Sequence, residues 1–286
     1  MSLSHFTTTD GTTLAYDDRG TGVPLLCLAG LTRNMDDFRP ILAPLERRCR
    51  IIRLDSRGRG RSDNAADFTS YNVIQEGHDV LELLDHLGLG RVAILGTSRG
   101  GLIAMALAAA HAERLGAVIL NDIGPVIGAG GLARIMDYVG RTPKARTLDE
   151  AAAATRAHMQ DEFPGVPLET WREQVGNWFE ETPDGLRLRY DPDLRKALLH
   201  QSASDTSPDL WPFFEALKDL PLAVIRGENS DILSADTLAE MQRRHPGLLA
   251  VTVPDRGHVP FLDEPECLAA IEAMLRAAEA RIGETA

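Results

Sequence analysis

A chain of 286 residues, 44% of them hydrophobic, can bury a sizeable core as one large α/β domain or as such a domain carrying an insertion. Its formal net charge of −12 excludes the basic surface of a nucleic-acid binder, disfavours docking on an anionic membrane, and reads as a charge that keeps the chain soluble. Three widely spaced cysteines, Cys27, Cys49 and Cys267, make neither a disulfide framework nor a zinc pattern. No basic region precedes an apolar stretch at the N-terminus, and no apolar run reaches the roughly 18 residues of a membrane span, so the expected location is the cytoplasm.

In chain order, Phe6 to Thr9 and Thr13 to Tyr16 flank Asp10-Gly11 and predict a β-hairpin. Pro24 to Ala29 is a continuous apolar run, hence a central strand. Met35 to Leu45 is expected as a short helix and Arg50 to Leu54 as a second central strand. Between Asn72 and Leu87, the residues Val73, Val80, Leu84 and Leu87 fall on one helical face, and Gly88 closes that helix. Val92 to Leu95 reads as a buried strand, Leu102 to Ala110 as a buried helix, and Leu115 to Leu120 as the next strand. Strands alternating with helices imply a doubly wound, mostly parallel sheet of the α/β class.

The rhythm breaks from Val126 to about Pro208. That stretch has helical composition, with a tetra-alanine at Ala151 to Ala154, and shows no convincing strand. It resumes with Leu222 to Arg226, a helix from Ser234 to Arg244, a strand at Leu249 to Val253, and a last helix starting near Pro265. The expected organisation is a core in two parts, residues 1–125 and 209–286, interrupted by a helical cap at 126–208. Gly128-Ala129-Gly130-Gly131 reads as a hinge or lid turn at the start of that cap.

Gly96-Thr97-Ser98-Arg99-Gly100 lies between the apolar strand at Val92 and the buried helix at Leu102. Strand, Gly-x-Ser-x-Gly, helix is the context of a nucleophile elbow. Ser98 then stands at the tip of a strand and the N-terminus of a helix, where free N–H groups and the helix dipole favour negative charge.

With two further motifs this chain resembles the α/β-hydrolase family along almost its whole length. The first is the acid-bearing loop Arg226-Gly227-Glu228-Asn229-Ser230-Asp231. The second is Gly257-His258-Val259-Pro260 near the C-terminus. Leu28-Ala29-Gly30-Leu31 and the glycine-spaced loop from Asp55 to Ser62 agree with it. The resemblance implies an acyl-transfer triad in the order Ser98, Asp231, His258. Asp122, which ends a strand at Leu120-Asn121-Asp122-Ile123, is the reserve for the acid, because some members carry it after that earlier strand. The resemblance also implies backbone N–H oxyanion donors at Leu31 and Arg99. Where many relatives have His-Gly before the first of these, this chain has Ala29-Gly30.

Other residues are read against two roles each. Thr32 and Asn34 lie beside the expected oxyanion hole and are candidates to touch substrate, with a solvent-facing loop as the commoner role. Asp122, if not the acid, pairs with a nearby donor or shapes the pocket wall. Trp171 and Trp178, with Phe179, Trp211, Phe213 and Phe214, either line an apolar pocket or pack cap against body, and packing is the commoner role. The Arg99 side chain either attracts an acidic substrate or, as buried arginines normally do, pairs with a carboxylate such as Asp122. Asp55 and Arg57 are expected to brace their loop; it lacks the lysine and Ser/Thr of a phosphate-binding loop.

The leading functional expectation is a serine hydrolase that cleaves a small carboxylic ester or lactone through an acyl-enzyme. Two alternatives stand beside it: a carbon–carbon hydrolase of ring-cleavage products, and a non-catalytic ligand receptor on the same fold. The triad needs no cofactor and no metal. The expected partner is a small molecule, with no nucleic acid and no membrane; a homo-oligomer is compatible with the sequence but not read from it.

Overall fold

The computed structural model describes residues 3–203 and 208–283. The chain opens with an antiparallel hairpin, β1 (Leu3–Thr7) and β2 (Thr13–Arg19). β3 (Val23–Leu28), a single-turn α1 (Leu42–Leu45), β4 (Cys49–Leu54) and α2 (Val73–His86) follow. Next come β5 (Val92–Thr97), α3 (Arg99–His111) and β6 (Leu115–Asn121). An inserted run then holds α4 (Ala129–Tyr138), α5 (Leu148–Met159), α6 (Leu168–Trp178), β7 (Phe179–Thr182), β8 (Gly185–Leu188) and α7 (Leu194–Ser202). The chain returns through α8 (Trp211–Glu215), β9 (Leu222–Gly227), α9 (Ala235–Arg244), β10 (Leu249–Val253) and α10 (Pro265–Gly283).

Eight strands form one sheet in the order β1-β2-β4-β3-β5-β6-β9-β10. The pairs β1–β2 and β2–β4 are antiparallel and all others are parallel. The apolar runs explain why β3, β5 and β6 sit in the middle: both faces of each are covered, so both alternating sets of side chains are hydrophobic. Leu26, Leu28, Ile94, Val118, Leu120 and Val224 pack on one face with α2, α3, α8 and α9. Leu25, Cys27, Ile51, Leu95, Ile119 and Ile225 pack on the other with α1 and α10. The cysteines are free and buried within this second layer.

Two local expectations are corrected. Met35 to Leu45 is not one helix: it divides into a 3-10 turn at Met35–Phe38 and α1. Pro40 lies between them and supplies no N–H to continue a helix. The inserted run is not purely helical either, because β7 and β8 pair as an antiparallel hairpin across Pro183-Asp184-Gly185, with Gly185 at φ 121°. Pro-Asp-Gly is a turn signal, but flanking strands of four residues with few buried side chains carry little hydrophobic pattern of their own.

The inserted elements have their own small core of Phe163, Val166, Trp171, Val175 and Leu186, closed by Phe261 from the loop after β10. They are bonded to the body through main chain. Gly60 N–H donates to Arg189 O and Asp191 N–H to Gly58 O, both at 2.8 Å. Side chains add to this seam: Asn34 Nδ2 donates to Asn177 O (2.7 Å), and Tyr71 Oη donates to Asp191 (2.5 Å). Among the described residues no helix is long and apolar enough to cross a membrane.

Candidate active site

The site starts from the turn between β5 and α3. Ser98 holds φ 49°, a left-handed conformation that costs a non-glycine residue about 1–3 kcal/mol and persists where its surroundings over-determine it. Its N–H donates to Asn121 O at 2.9 Å, tying the turn to the end of the neighbouring strand β6. The flanking glycines are required by space. A Cβ on Gly96 would lie 2.5 Å from Gly100 O, and one on Gly100 would run into the Leu28 carbonyl of β3.

His258 reaches this serine from the loop after β10, with Nε2 3.0 Å from Ser98 Oγ. Its Nδ1 lies 2.7 Å from Asp122 Oδ2. Asp122, the first residue past β6, is fully buried. A buried carboxylate needs donors, and this one has several: Gly227 N–H to Oδ1 (2.8 Å), Ser230 Oγ–H to Oδ2 (2.6 Å), and the histidine. With Asp122 accepting at Nδ1, the neutral imidazole carries its proton there and presents a bare Nε2 to the serine hydroxyl.

The expectation for the acid is therefore corrected from Asp231 to Asp122. Asp231 lies four residues beyond the end of β9, is about one-third exposed, and accepts from Arg134 of α4 at 2.8 Å. The reason is positional. β6 lies directly beside the serine's strand, whereas β9 lies one strand further out. The loop expected to hold the acid instead supplies two donors to it, Gly227 and Ser230.

The loop after β3 approaches the serine: a Cβ on Gly30, the residue before Leu31, would lie 3.7 Å from Ser98 Cβ. Arg99 N–H opens α3. Among the described residues neither the Leu31 N–H nor the Arg99 N–H is bonded to a main-chain acceptor.

The other singled-out residues have mostly structural partners. Thr32 is buried in the oxyanion loop. Asn34 is buried too: its Oδ1 accepts from Asp36 N–H (3.0 Å), capping the 3-10 turn, while its Nδ2 holds Asn177 O. Trp171 is core, edge-on to Phe163 and Phe261. Trp178 lies under the Arg33 guanidinium, 4.0 Å from ring centroid to Cζ. Trp211 stacks on Arg244, and Phe214 is buried on the sheet. Gly128 precedes α4, and its N–H donates to Ile232 O at 2.9 Å.

The Arg99 side chain is in an ion pair, as buried arginines normally are, but with Glu76 of α2 rather than Asp122. Nε donates to Oε2 and Nη2 to Oε1, each at 2.8 Å. Burial alone would raise the Glu76 carboxyl, but Arg59 and Arg99 hold it below the ordinary range. Sequence reasoning missed Glu76, Ser230 and Arg59; only the fold brings Glu76 to Arg99, Arg59 to Leu31 and Ser230 to Asp122. Asp55 does brace its loop, accepting from Met35 N–H (2.6 Å) and Arg61 N–H (2.8 Å). Arg57 pairs with Asp79 and Asp10.

A cleft of about 1150 Å³ lies between the loop around Arg61 and the β7–β8 hairpin, lined among others by Thr182, Leu186 and Tyr190. Ser98, Asp122 and His258 are absent from its walls, so the site is recognised by its chemistry and not by cavity size.

Residues 23–265 match the family model of the alpha/beta hydrolase fold. The chain is similar to a 3-hydroxybutyrate-oligomer hydrolase from Cupriavidus necator, 35% identical over 253 residues that cover 86% of this chain and 85% of the relative. It is 28% identical over 254 residues to a 2-(acetamidomethylene)succinate hydrolase from Mesorhizobium japonicum, covering 89% and 88%. Among solved structures, an α/β hydrolase from Novosphingobium aromaticivorans matches with a TM-score of 0.90 at 38% identity, over 96% of this chain and 98% of that one.

Proposed function

Because the chain belongs to the α/β-hydrolase family, a family of hydrolases, we propose that it is a serine hydrolase of carboxylic esters, with short esters of hydroxy acids as the favoured substrates. The observation that carries this reading is the continuous chain Ser98 Oγ, His258 Nε2, His258 Nδ1, Asp122 Oδ2, at 3.0 and 2.7 Å. The hydroxy-acid preference draws on the 3-hydroxybutyrate-oligomer relative, since units joined through a hydroxyl and a carboxyl are linked by esters.

The chemistry follows from the geometry. As Ser98 Oγ attacks the ester carbonyl carbon, its proton passes to His258 Nε2. The carbonyl electron pair moves to oxygen, which Leu31 and Arg99 N–H groups receive; preorganised donors of this kind are worth about 3–4 kcal/mol each. The tetrahedral intermediate collapses, the alkoxide leaves with the proton from His258 Nε2, and an acyl ester remains on Ser98. Water, deprotonated by the same Nε2, attacks that ester, and Ser98 recovers its proton as the acid departs. Asp122 keeps the imidazole in the productive tautomer and stabilises the imidazolium without taking its proton.

A small lactone fits the same steps. The carbon–carbon alternative shares the triad and the inserted segment; for it Arg99 would have been a holder of the substrate carboxylate, and that side chain is bound to Glu76 instead. Ser98→Ala tests the proposal. Hydrolysis of p-nitrophenyl acetate, butyrate and 3-hydroxybutyrate esters should fall on the order of 10⁴-fold or more, and fluorophosphonate labelling should vanish. Undiminished hydrolysis by the variant refutes the mechanism. Labelling of the wild type without turnover of any ester or lactone instead marks a receptor.

A further inference from the structure

Glu76 is a single carboxylate that reaches both sides of the oxyanion hole. On one side it binds the Arg99 guanidinium through both oxygens, and Arg99 is the residue whose backbone N–H opens α3 beside Ser98. On the other side its Oε1 accepts from Arg59 Nη1 at 3.0 Å. Arg59 then donates through Nε to Leu31 O at 2.9 Å, and through Nη1 to its neighbour Arg57 O at 2.6 Å. Arg59 and Glu76 are each about 1% exposed at the side chain, and Arg99 about 10%. The glutamate is anchored in the first turn of α2, where the helix dipole favours its charge.

We infer that the buried Arg59–Glu76–Arg99 cluster is a positioning device for the oxyanion hole, in which Glu76 sets the separation of the Leu31 and Arg99 donors. This rests on the serine-hydrolase reading of the site. The argument is geometric. The two donors come from segments far apart in sequence, the loop after β3 and the start of α3, and hydrogen bonds to an oxyanion need both within a few tenths of an ångström. The Leu31 carbonyl is held by a planar guanidinium, which fixes direction as well as distance. That guanidinium and the Arg99 guanidinium share one carboxylate, so neither segment moves without straining the other. The position between Gly58 and Gly60 is thereby assigned a function that its turn-like sequence conceals.

The same helix provides a control. Asp79, one turn along α2, makes a bidentate pair with Arg57 at 2.7 and 2.5 Å and is just as buried, yet the Arg57 side chain does not bond the oxyanion loop. Glu76→Gln, Arg59→Lys and Asp79→Asn should all lower the melting temperature. Only the first two should lower kcat for a p-nitrophenyl ester, by about tenfold or more, a part of the 10²–10³-fold that losing a donor outright costs. KM should stay within about twofold. Affinity for a boronic acid, which forms a tetrahedral adduct on Ser98, should fall in parallel with kcat/KM.

Arg59→Lys keeps the charge and removes the Nε bond to Leu31, so it separates position from field. Full kcat in folded Arg59→Lys or Glu76→Gln overturns the inference, as does an equal loss in Asp79→Asn. Fluorophosphonate labelling of the wild type distinguishes the two levels. An unlabelled, inactive wild type removes the serine-hydrolase reading and this inference with it; a labelled, active wild type beside unimpaired variants removes this inference alone.

Discussion

Asp122 and Asp231 stand at the ends of adjacent strands on the same edge of the sheet, and their fates differ. Asp122 has no exposure to solvent, occupies a left-handed backbone position at φ 55°, and is held by a backbone N–H, a hydroxyl and the imidazole. Asp231 is about one-third exposed and shares Arg134 with Glu162. Both are carboxylates with a cationic or protonated partner. Only the first is fully buried and surrounded by protein donors, one of them the imidazole itself. What separates an orienting acid from a surface ion pair is the count of fixed donors and the absence of water, not loop length or order in the chain.

The largest effect that tests this contrast is Asp122→Asn. The variant keeps the shape but can present an amide N–H toward His258, favouring the wrong tautomer, and kcat/KM should fall on the order of 10⁴-fold with the fold intact by circular dichroism. Retention of more than a tenth of wild-type activity would break the comparison.

A third carboxylate extends the contrast to stability. Asp36 is buried and its partners are all guanidinium groups: Arg61 at 2.8 Å, Arg189 at 2.9 Å and Arg39 at 3.0 Å. Burial works against its charge, but the arginines hold its carboxyl below the ordinary 3.8. A lowered folded value means stability that is fully present above pH 4 to 5 and lost as pH falls through the folded value. Asp36→Asn should cost about 2–3 kcal/mol at pH 7. It should also flatten the acid side of the stability curve measured by urea unfolding between pH 3 and 7; an unchanged slope there contradicts the assignment.

Asp231→Asn should do least. Ester hydrolysis should stay within about twofold, and unfolding free energy should change by roughly 0.5 kcal/mol or less, as for other partly exposed pairs. A loss of activity comparable with Asp122→Asn would reverse the two roles.

The sequence carried the fold because the central strands β3, β5 and β6 are short apolar runs and the helices α2 and α3 have a one-sided or largely apolar pattern. It carried Ser98 because the elbow's glycines are adjacent to it in the chain, and His258 because a glycine and a late strand mark it. It did not separate Asp122 from Asp231. Each follows a strand, and the deciding fact is that β6 lies next to β5 while β9 lies beyond it. Arg99 shows the same limit. A buried arginine demands a carboxylate, but nothing local chooses Glu76, 23 residues earlier on another helix, over Asp122. The β7–β8 hairpin escaped because its strands, Phe-Glu-Glu-Thr and Gly-Leu-Arg-Leu, bury too little to show an alternation.

The main-chain bonds that join Arg189 and Asp191 to Gly60 and Gly58 bear on how such a molecule diversifies. An inserted segment attached only by its ends could be exchanged as a cassette, altering substrate choice and leaving the chemistry alone. Here residues 126–203 are sewn into the loop that carries Arg59, two bonds away from the Leu31 carbonyl. A transplant from a relative would have to bring a matching edge for Gly58 and Gly60, or its new specificity would arrive with a displaced oxyanion loop. On the proposed reading, substrate range and catalytic geometry are inherited together in this chain.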